Sequence, residues 1–409
     1  MAEAPLKPDH ARQLLMDSAT CVVPSDACAL AAADGRIMAT DLIATANLPA
    51  SANAAVDGYA IDASILATNA SHSFPVIGRA AAGHTFDGVV PSGAAIRIFT
   101  GAVMPVGTNA VAMQEDCTAT NDHVQINIPL KIDANHRPAG ENIRDGEIII
   151  PAGKRLGPAD LGIAAAAGHA TLEIRRQLRV GLLSMGDEII DPGDALARGQ
   201  SYDSNRPMLA SLLRADGFAV QDYGIIPDDE AALTTAYRQA MQDCDVVVSS
   251  GGASDGDEDH TQGAIRAVGA SLVFWRLAMK PGRPMAVGAV GDQRIFCLPG
   301  NPVAAFVCYR LLTAPVLARM SGAAPPPLLR PMVRSGFDHK KKPGRAEYLR
   351  VRIATDSDGQ PNMILHGRRG AGVLSSLTGA DGLVEIPVDN AGVSAGDYLS
   401  FIPFREAAL

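Results

Sequence analysis

The chain has 409 residues, 47% hydrophobic and 19% charged, with a formal net charge of −9. That length predicts roughly two to four domains with ample apolar material for their cores, and the acidic balance excludes a general nucleic-acid binder or a protein held on anionic membranes. The six cysteines (Cys21, Cys28, Cys117, Cys244, Cys297 and Cys308) show neither CxxC nor zinc spacing and read as reduced, mostly structural thiols; with no signal-like start and no apolar run near about 18 residues, the expectation is a soluble, cytoplasmic protein.

Residues 8–17 carry helix formers with Ala11, Leu14 and Leu15 on one side. Pro24, Ser25 and Asp26 read as a cap before a short helix ending near Gly35, after which the chain turns extended. A loop of small residues follows at 48–60, where Asp57-Gly58 reads as a turn with Asp57 bonding its own backbone. Short β segments at 73–77, 95–99, 110–114 and 124–128, punctuated by Gly and Pro, predict a small β domain. Within it, the turn at Thr100-Gly101 suits a ligand contact as well as a plain reversal. Residues 158–168 form an Ala-rich helix with Pro158 in its first turn and Gly168 just past its end.

From Arg179 the pattern becomes strand and helix in alternation. Strands are predicted at 180–184, at 218–225 and from Val246 onward. One helix opens with Ser204 as N-cap and Pro207 in its first turn, burying Leu209, Leu212 and Leu213. Another is capped by Asp228 or Asp229 and turns Leu233, Tyr237, Ala240 and Met241 inward. Such alternation predicts parallel strands with helices on both faces, and ligands then sit beyond the carboxyl ends of the strands. Three strand ends converge there: Asp187-Glu188, Asp228, and the stretch from Ser250 to Asp259.

That last stretch organises the chain. Val246, Val247 and Val248 read as a buried strand, and Gly251, Gly252 and Gly256 then allow a turn whose backbone N–H groups can cradle an anion. Asp257 and Asp259 follow, where a metal bridged to a phosphate wants carboxylate oxygens. A glycine turn before a solvated acidic helix start is the plainer reading of the same residues. Lys280-Pro281-Gly282-Arg283-Pro284 supplies two cations on a stiffened backbone, suited to phosphate or another oxyanion. Leu298-Pro299-Gly300-Asn301-Pro302 ends a further strand ahead of an apolar helix at 303–320. Beyond the Pro325-Pro326-Pro327 linker, short β segments carry a basic set including Lys340, Lys341, Lys342, Arg345, Arg350 and Arg352. A basic lobe of this kind suits an anionic ligand or an acidic neighbouring domain.

Taken together these motifs resemble the MoeA / gephyrin E-domain family of molybdopterin molybdenumtransferases. The resemblance runs along nearly the whole chain. Its carriers include Asp57-Gly58-Tyr59-Ala60, Thr100-Gly101-Ala102, Gly140-Glu141-Asn142-Ile143, Gly186-Asp187-Glu188 and Tyr202-Asp203-Ser204-Asn205. Ser250-Gly251-Gly252-Ala253-Ser254 with Asp257 and Asp259, and the two Pro-Gly motifs at 280–284 and 298–302, complete the set.

The resemblance implies a multidomain α/β plus β fold. A central α/β/α molybdopterin-binding domain with a parallel-rich sheet is expected at 179–323, an inserted β domain at 51–139, a linker domain from 1–50 and 140–178, and a β-barrel-like domain at 328–409. It implies an elongated homodimer that inserts molybdenum from molybdate into adenylylated molybdopterin and releases AMP with the help of Mg²⁺. The molybdopterin adenylyltransferase is then a candidate partner. Asp57, Glu188, Asp228, Asp259 and Lys280 would be catalytic, and Asp228, Asp257 and Asp259 would hold the metal. Thr100, Ser250, Gly251, Gly252, Ser254, Arg283, Pro299, Asn301 and Arg350 would bind the cofactor. Asp57 and Thr100 lie in the inserted domain, which implies a cleft completed by the second subunit.

Some positions depart from the family pattern. Ala52 and Ala54 stand where it has Asp and Ser, Asp255 replaces an apolar residue, Arg283 replaces a Lys, and Ala371 stands where a Ser is usual. These departures keep two alternatives in view: a non-catalytic molybdopterin carrier or scaffold, and a molybdopterin adenylyltransferase. The second fits less well, because that activity usually belongs to a freestanding α/β/α domain.

Overall fold

The computed structural model describes residues 5–67, 73–252, 260–324 and 330–404. Alternation inside the apolar strands builds the central layer. Val246 and Val248 turn to one side of the sheet and join Val180, Leu182 and Leu298, while Val247 turns to the other with Leu183, Ile295 and Cys297. The strands lie in the order Ala219–Ile226, Arg179–Met185, Val246–Ser250, Gln293–Leu298, Pro284–Val290, Ser271–Arg276. Helices cover both faces: Asn205–Ala215 and the run from Pro302 to Met320 on one, Glu230–Asp243 and His260–Ala267 on the other.

The first four strands are parallel, as the alternation predicts. The last two are antiparallel. Gly291 and Asp292 alone join Val290 to Gln293, and so short a connection can only reverse the chain. The Pro302–Met320 run has the length and composition of a membrane span, yet it is mostly buried in the core of this domain.

Around 24–35 the structure differs from the helix expected there. Ser25–Ala29 is a strand, antiparallel to Thr171–Arg175, followed by a short 3-10 turn at Leu30–Ala32. Pairing with an available strand edge, reinforced by the Ser25 hydroxyl donating to Glu173 at 2.7 Å, outweighs the local helix preference of the alanines. In helix Pro8–Asp17, Ala11 and Leu15 are buried but Leu14 stays exposed.

The inserted β domain holds a six-stranded sheet in which Gly58–Ile61 lies between Ala110–Met113 and Ala95–Ile98. In the C-terminal region, Ala346–Thr355 pairs with both Pro361–Leu365 and Gly382–Ile386. Tyr398–Pro403 and Met332–Ser335 complete the circuit, closing a five-stranded barrel. Met279–Lys280 leaves the central domain and adds in parallel to Ala346-Glu347, joining barrel to sheet.

Candidate active site

A cleft of about 540 Å³ opens at the carboxyl ends of Arg179–Met185, Val246–Ser250 and Gln293–Leu298, where parallel α/β sheets bind their ligands. Ser184, Met185 and Glu188 line it from the first strand, Ser250 and Gly251 from the second, and Pro299, Gly300 and Asn301 from the third. Gly251 has φ of +96°, and a Cβ there would strike the Met185 carbonyl oxygen. Only glycine lets the turn pass this close to the neighbouring strand. Gly252 follows at φ +71°. Two helices begin at the cleft, Asn205–Ala215 and Pro302–Cys308, the latter continuing to Met320. Their N-terminal N–H groups and dipoles favour a bound anion.

The first of these helices is capped by Asp203 rather than by Ser204, whose side chain makes no capping bond. The buried Asp203 carboxylate accepts from the N–H groups of Asn205 and Arg206, each at 3.1 Å, and from Arg206 Nε at 3.1 Å. Arg206 in turn pairs with Asp191 and Asp222. The cap fixes Asn205. Its side-chain amide donates to Ser250 Oγ at 2.7 Å and to the Gly300 carbonyl at 2.7 Å, tying the helix start to the glycine turn and to the Pro299–Asn301 loop. Asn205 Oδ1 and Ser184 Oγ are buried on the cleft wall without a partner among the described residues. A buried polar atom left this way is costly, and a ligand with matching donors or acceptors removes the cost.

Neither Asn205 nor Asp203 stood out in the sequence as a site residue. The available signal was Asp203-Ser204-Asn205 at a helix start one strand away from a glycine turn. Gly372 of the C-terminal region also lines the cleft, and the Val303 N–H at the start of the second helix donates to the Ala371 carbonyl at 2.9 Å. Residue 371 thus acts here through its backbone, which does not require a serine side chain.

Of the sequence-predicted residues, Glu188, Ser250, Gly251, Pro299 and Asn301 line this cleft. Ser254, Asp257 and Asp259 lie outside the described residues. Asp228 is exposed at the end of its strand, its N–H donating to Asp187 at 3.0 Å. Lys280 stands on the segment that joins the barrel, its Nζ 3.2 Å from Glu347, while Pro284 of the same motif touches the cleft. Arg283 lies between them in sequence and accepts the Leu277 N–H at its carbonyl. Arg350 is buried, with Nε donating to Ser376 Oγ at 2.9 Å and Nη2 to the Arg368 carbonyl at 3.0 Å. It braces the loop that carries Ala371 and Gly372.

Asp57 and Thr100 sit in the inserted domain and do not line the cleft of their own chain. Asp57 does not bond its own backbone as a simple turn would. Its Oδ1 accepts from the Thr100 N–H at 2.8 Å and the Thr100 hydroxyl at 2.7 Å. Those two bonds, with Arg97 nearby, hold the Asp57 carboxyl below the usual carboxylate range. Arg97 lies over Phe99 at 4.7 Å and over Tyr59 at 5.1 Å.

Among the described residues, no three His, Cys, Asp or Glu side chains come together as a metal centre. The described part of the cleft offers backbone N–H groups and polar side chains suited to an anionic, hydrogen-bonding ligand.

Comparison with known proteins agrees with this geometry. Residues 6–168 match the family model for the MoeA N-terminal region (domain I and II), 181–319 that for a probable molybdopterin binding domain, and 332–404 that for the MoeA C-terminal region (domain IV). A molybdopterin molybdenumtransferase of Haemophilus influenzae is 34% identical over 401 residues, spanning 97% of this chain and 98% of its own. One from Staphylococcus aureus is 29% identical over 386 residues, spanning 93% and 91%. The crystal structure of a molybdopterin biosynthesis moeA protein from Pyrococcus horikoshii OT3 superposes with a TM-score of 0.84 at 27% identity, covering 98% of this chain and all of that one. With three family regions matched in order along its length, the chain belongs to the MoeA family of molybdopterin molybdenumtransferases.

Proposed function

We propose that this chain acts in molybdenum cofactor biosynthesis as a transferase that inserts molybdenum from molybdate into adenylylated molybdopterin and releases AMP. The observation that carries this reading is the cleft itself: a glycine turn and two helix N-termini meet at the carboxyl edge of the sheet, pinned together by Asn205. Phosphate oxygens of the substrate suit the N–H groups there. Asn205 Oδ1 and Ser184 Oγ offer an acceptor and a hydroxyl to the polar edge of the pterin. Lys280 and Arg283 bring positive charge to the rim, for phosphate or for molybdate, Gly252 and Ser254 would bind the same substrate, and the buried Arg350 supports the site by bracing the loop of Ala371 and Gly372.

Glu188 and Asp228 supply carboxylates at the strand ends. Asp57 and Thr100 complete the site from the second subunit of a cytoplasmic homodimer, which takes its substrate from a molybdopterin adenylyltransferase. Mg²⁺ belongs to this proposal through Asp257 and Asp259, directly after the glycine turn, with Asp228 as a third carboxylate; when bound it neutralises charge on the phosphates.

The variant Asp259→Ala is expected to retain molybdopterin binding, measured by titration, while failing to release AMP from the adenylylated substrate. Unchanged AMP release would remove Asp259 from the mechanism.

A further inference from the structure

The C-terminal barrel does more than close the cleft with its Ala371 loop. Strand Met279–Lys280 adds to barrel strand Ala346–Thr355 in a register that sets Lys280 beside Glu347. Glu347 is buried, its side chain 10% exposed, and its two carboxylate oxygens are divided between two partners. Oε1 takes the Lys280 ammonium at 3.2 Å, and Oε2 takes the ring Nε2 of the buried His339 at 2.7 Å. The other ring nitrogen, His339 Nδ1, is buried with no partner among the described residues. A carboxylate oxygen can only accept, so the ring donates Nε2–H to Glu347 in this bond.

Lys341, whose charge also faces Glu347, is occupied elsewhere. Its Nζ donates to the carbonyls of Arg345 at 2.9 Å and Val388 at 3.2 Å. Lys280 itself keeps 60% of its side chain exposed.

We infer that Glu347 and His339 are positioning residues for the transferase reaction: the barrel dyad clamps the Lys280 ammonium at the cleft rim, where it meets the anionic substrate. A flexible lysine loses side-chain entropy when it binds an anion, and a clamp that fixes it beforehand lowers that cost. The His339 bond fixes the carboxylate as second-layer bonds fix metal and catalytic groups elsewhere. The inference rests on the placement of Lys280 at the substrate proposed above.

The test separates the clamp from that placement. In Glu347→Gln the ammonium loses its counter-charge, and the side chain can no longer accept from both partners. The Lys280 amine, no longer held by the carboxylate, should then be labelled by an amine-acylating reagent at pH 8, read by peptide mass spectrometry, roughly three- to tenfold faster, the change expected when one hydrogen bond holding the amine is lost. The KM for adenylylated molybdopterin should rise about fivefold with kcat little altered, and the same substitution made in a Lys280→Ala background should add nothing further to KM.

His339→Gln, which leaves the Glu347 charge in place, should move both readings the same way by less, and it serves if Glu347→Gln fails to fold. Unchanged labelling of Lys280 in both variants would overturn the clamp and leave the role of Lys280 standing. Faster labelling with an unchanged KM would overturn the positioning role together with the placement of Lys280 at the substrate.

Discussion

Replacing Asn205 with alanine is expected to destabilise the chain by about 2–4 kcal/mol, because it leaves buried hydrogen-bonding groups unmet, and to abolish tight molybdopterin binding. The amide bonds Ser250 Oγ and the Gly300 carbonyl at 2.7 Å each, in a region where Ser250 is itself buried. Alanine leaves both without their partner and frees the helix start, the glycine turn and the Pro299–Asn301 loop to move apart. Asn205→Asp keeps the shape but replaces the donor with a second acceptor, so it should be at least as damaging. Urea unfolding followed by titration with molybdopterin checks both expectations. A loss below about 0.5 kcal/mol, the level of an ordinary surface change, would mean that Asn205 does not pin the site.

The second large effect is expected at Asp57. Asp57→Ala removes the acceptor for both the N–H and the hydroxyl of Thr100, and turnover should fall by about a hundredfold or more, as when a preorganised polar group is lost from an active site. The melting temperature should hardly change, because the pair is partly exposed. Asp57 also predicts a pH effect of definite sign. Its carboxyl is held below the usual range in the folded chain, so the contact is favourable above the unfolded value of about 4 and is lost as the pH falls through the lower folded value.

If Asp57 serves the cleft of the neighbouring subunit, mixing Asp57→Ala chains with Asp259→Ala chains restores activity. Random pairing gives mixed dimers with one intact site each, and about a quarter of the wild-type rate should return. No recovery would place Asp57 and Asp259 in the same cleft of one chain.

Much of this site was legible in the sequence because its parts are punctuated. Glycine at 251, proline at 299 and 302, and apolar runs ending at Met185, Ser250 and Leu298 mark strand ends without any knowledge of the packing. Asn205 was hidden for the opposite reason. Its importance lies in two bonds that cross 45 and 95 residues of sequence, and no local pattern carries such distances. Asp57 misled for a related reason, since an Asp-Gly pair ordinarily bonds its own turn, and here the partner is Thr100, 43 residues on. The strand at Ser25–Ala29 shows the same limit at the level of the fold, because its alanines turn extended only through a strand edge that arrives at residue 171. Glu347 gave no signal at all, since the neighbouring basic residues made its region read as a basic lobe.

Metal insertion at the cleft beyond Ser250 and Gly251 can be measured directly. The most direct measurement incubates the purified full chain with adenylylated molybdopterin, Mg²⁺ and molybdate, and follows AMP release together with formation of the metal-bound cofactor. AMP release that depends on molybdate is expected, which would make Ala52, Ala54 and Ala371 tolerated variation. Tight binding of the substrate with no AMP released would contradict it and identify the chain as a carrier.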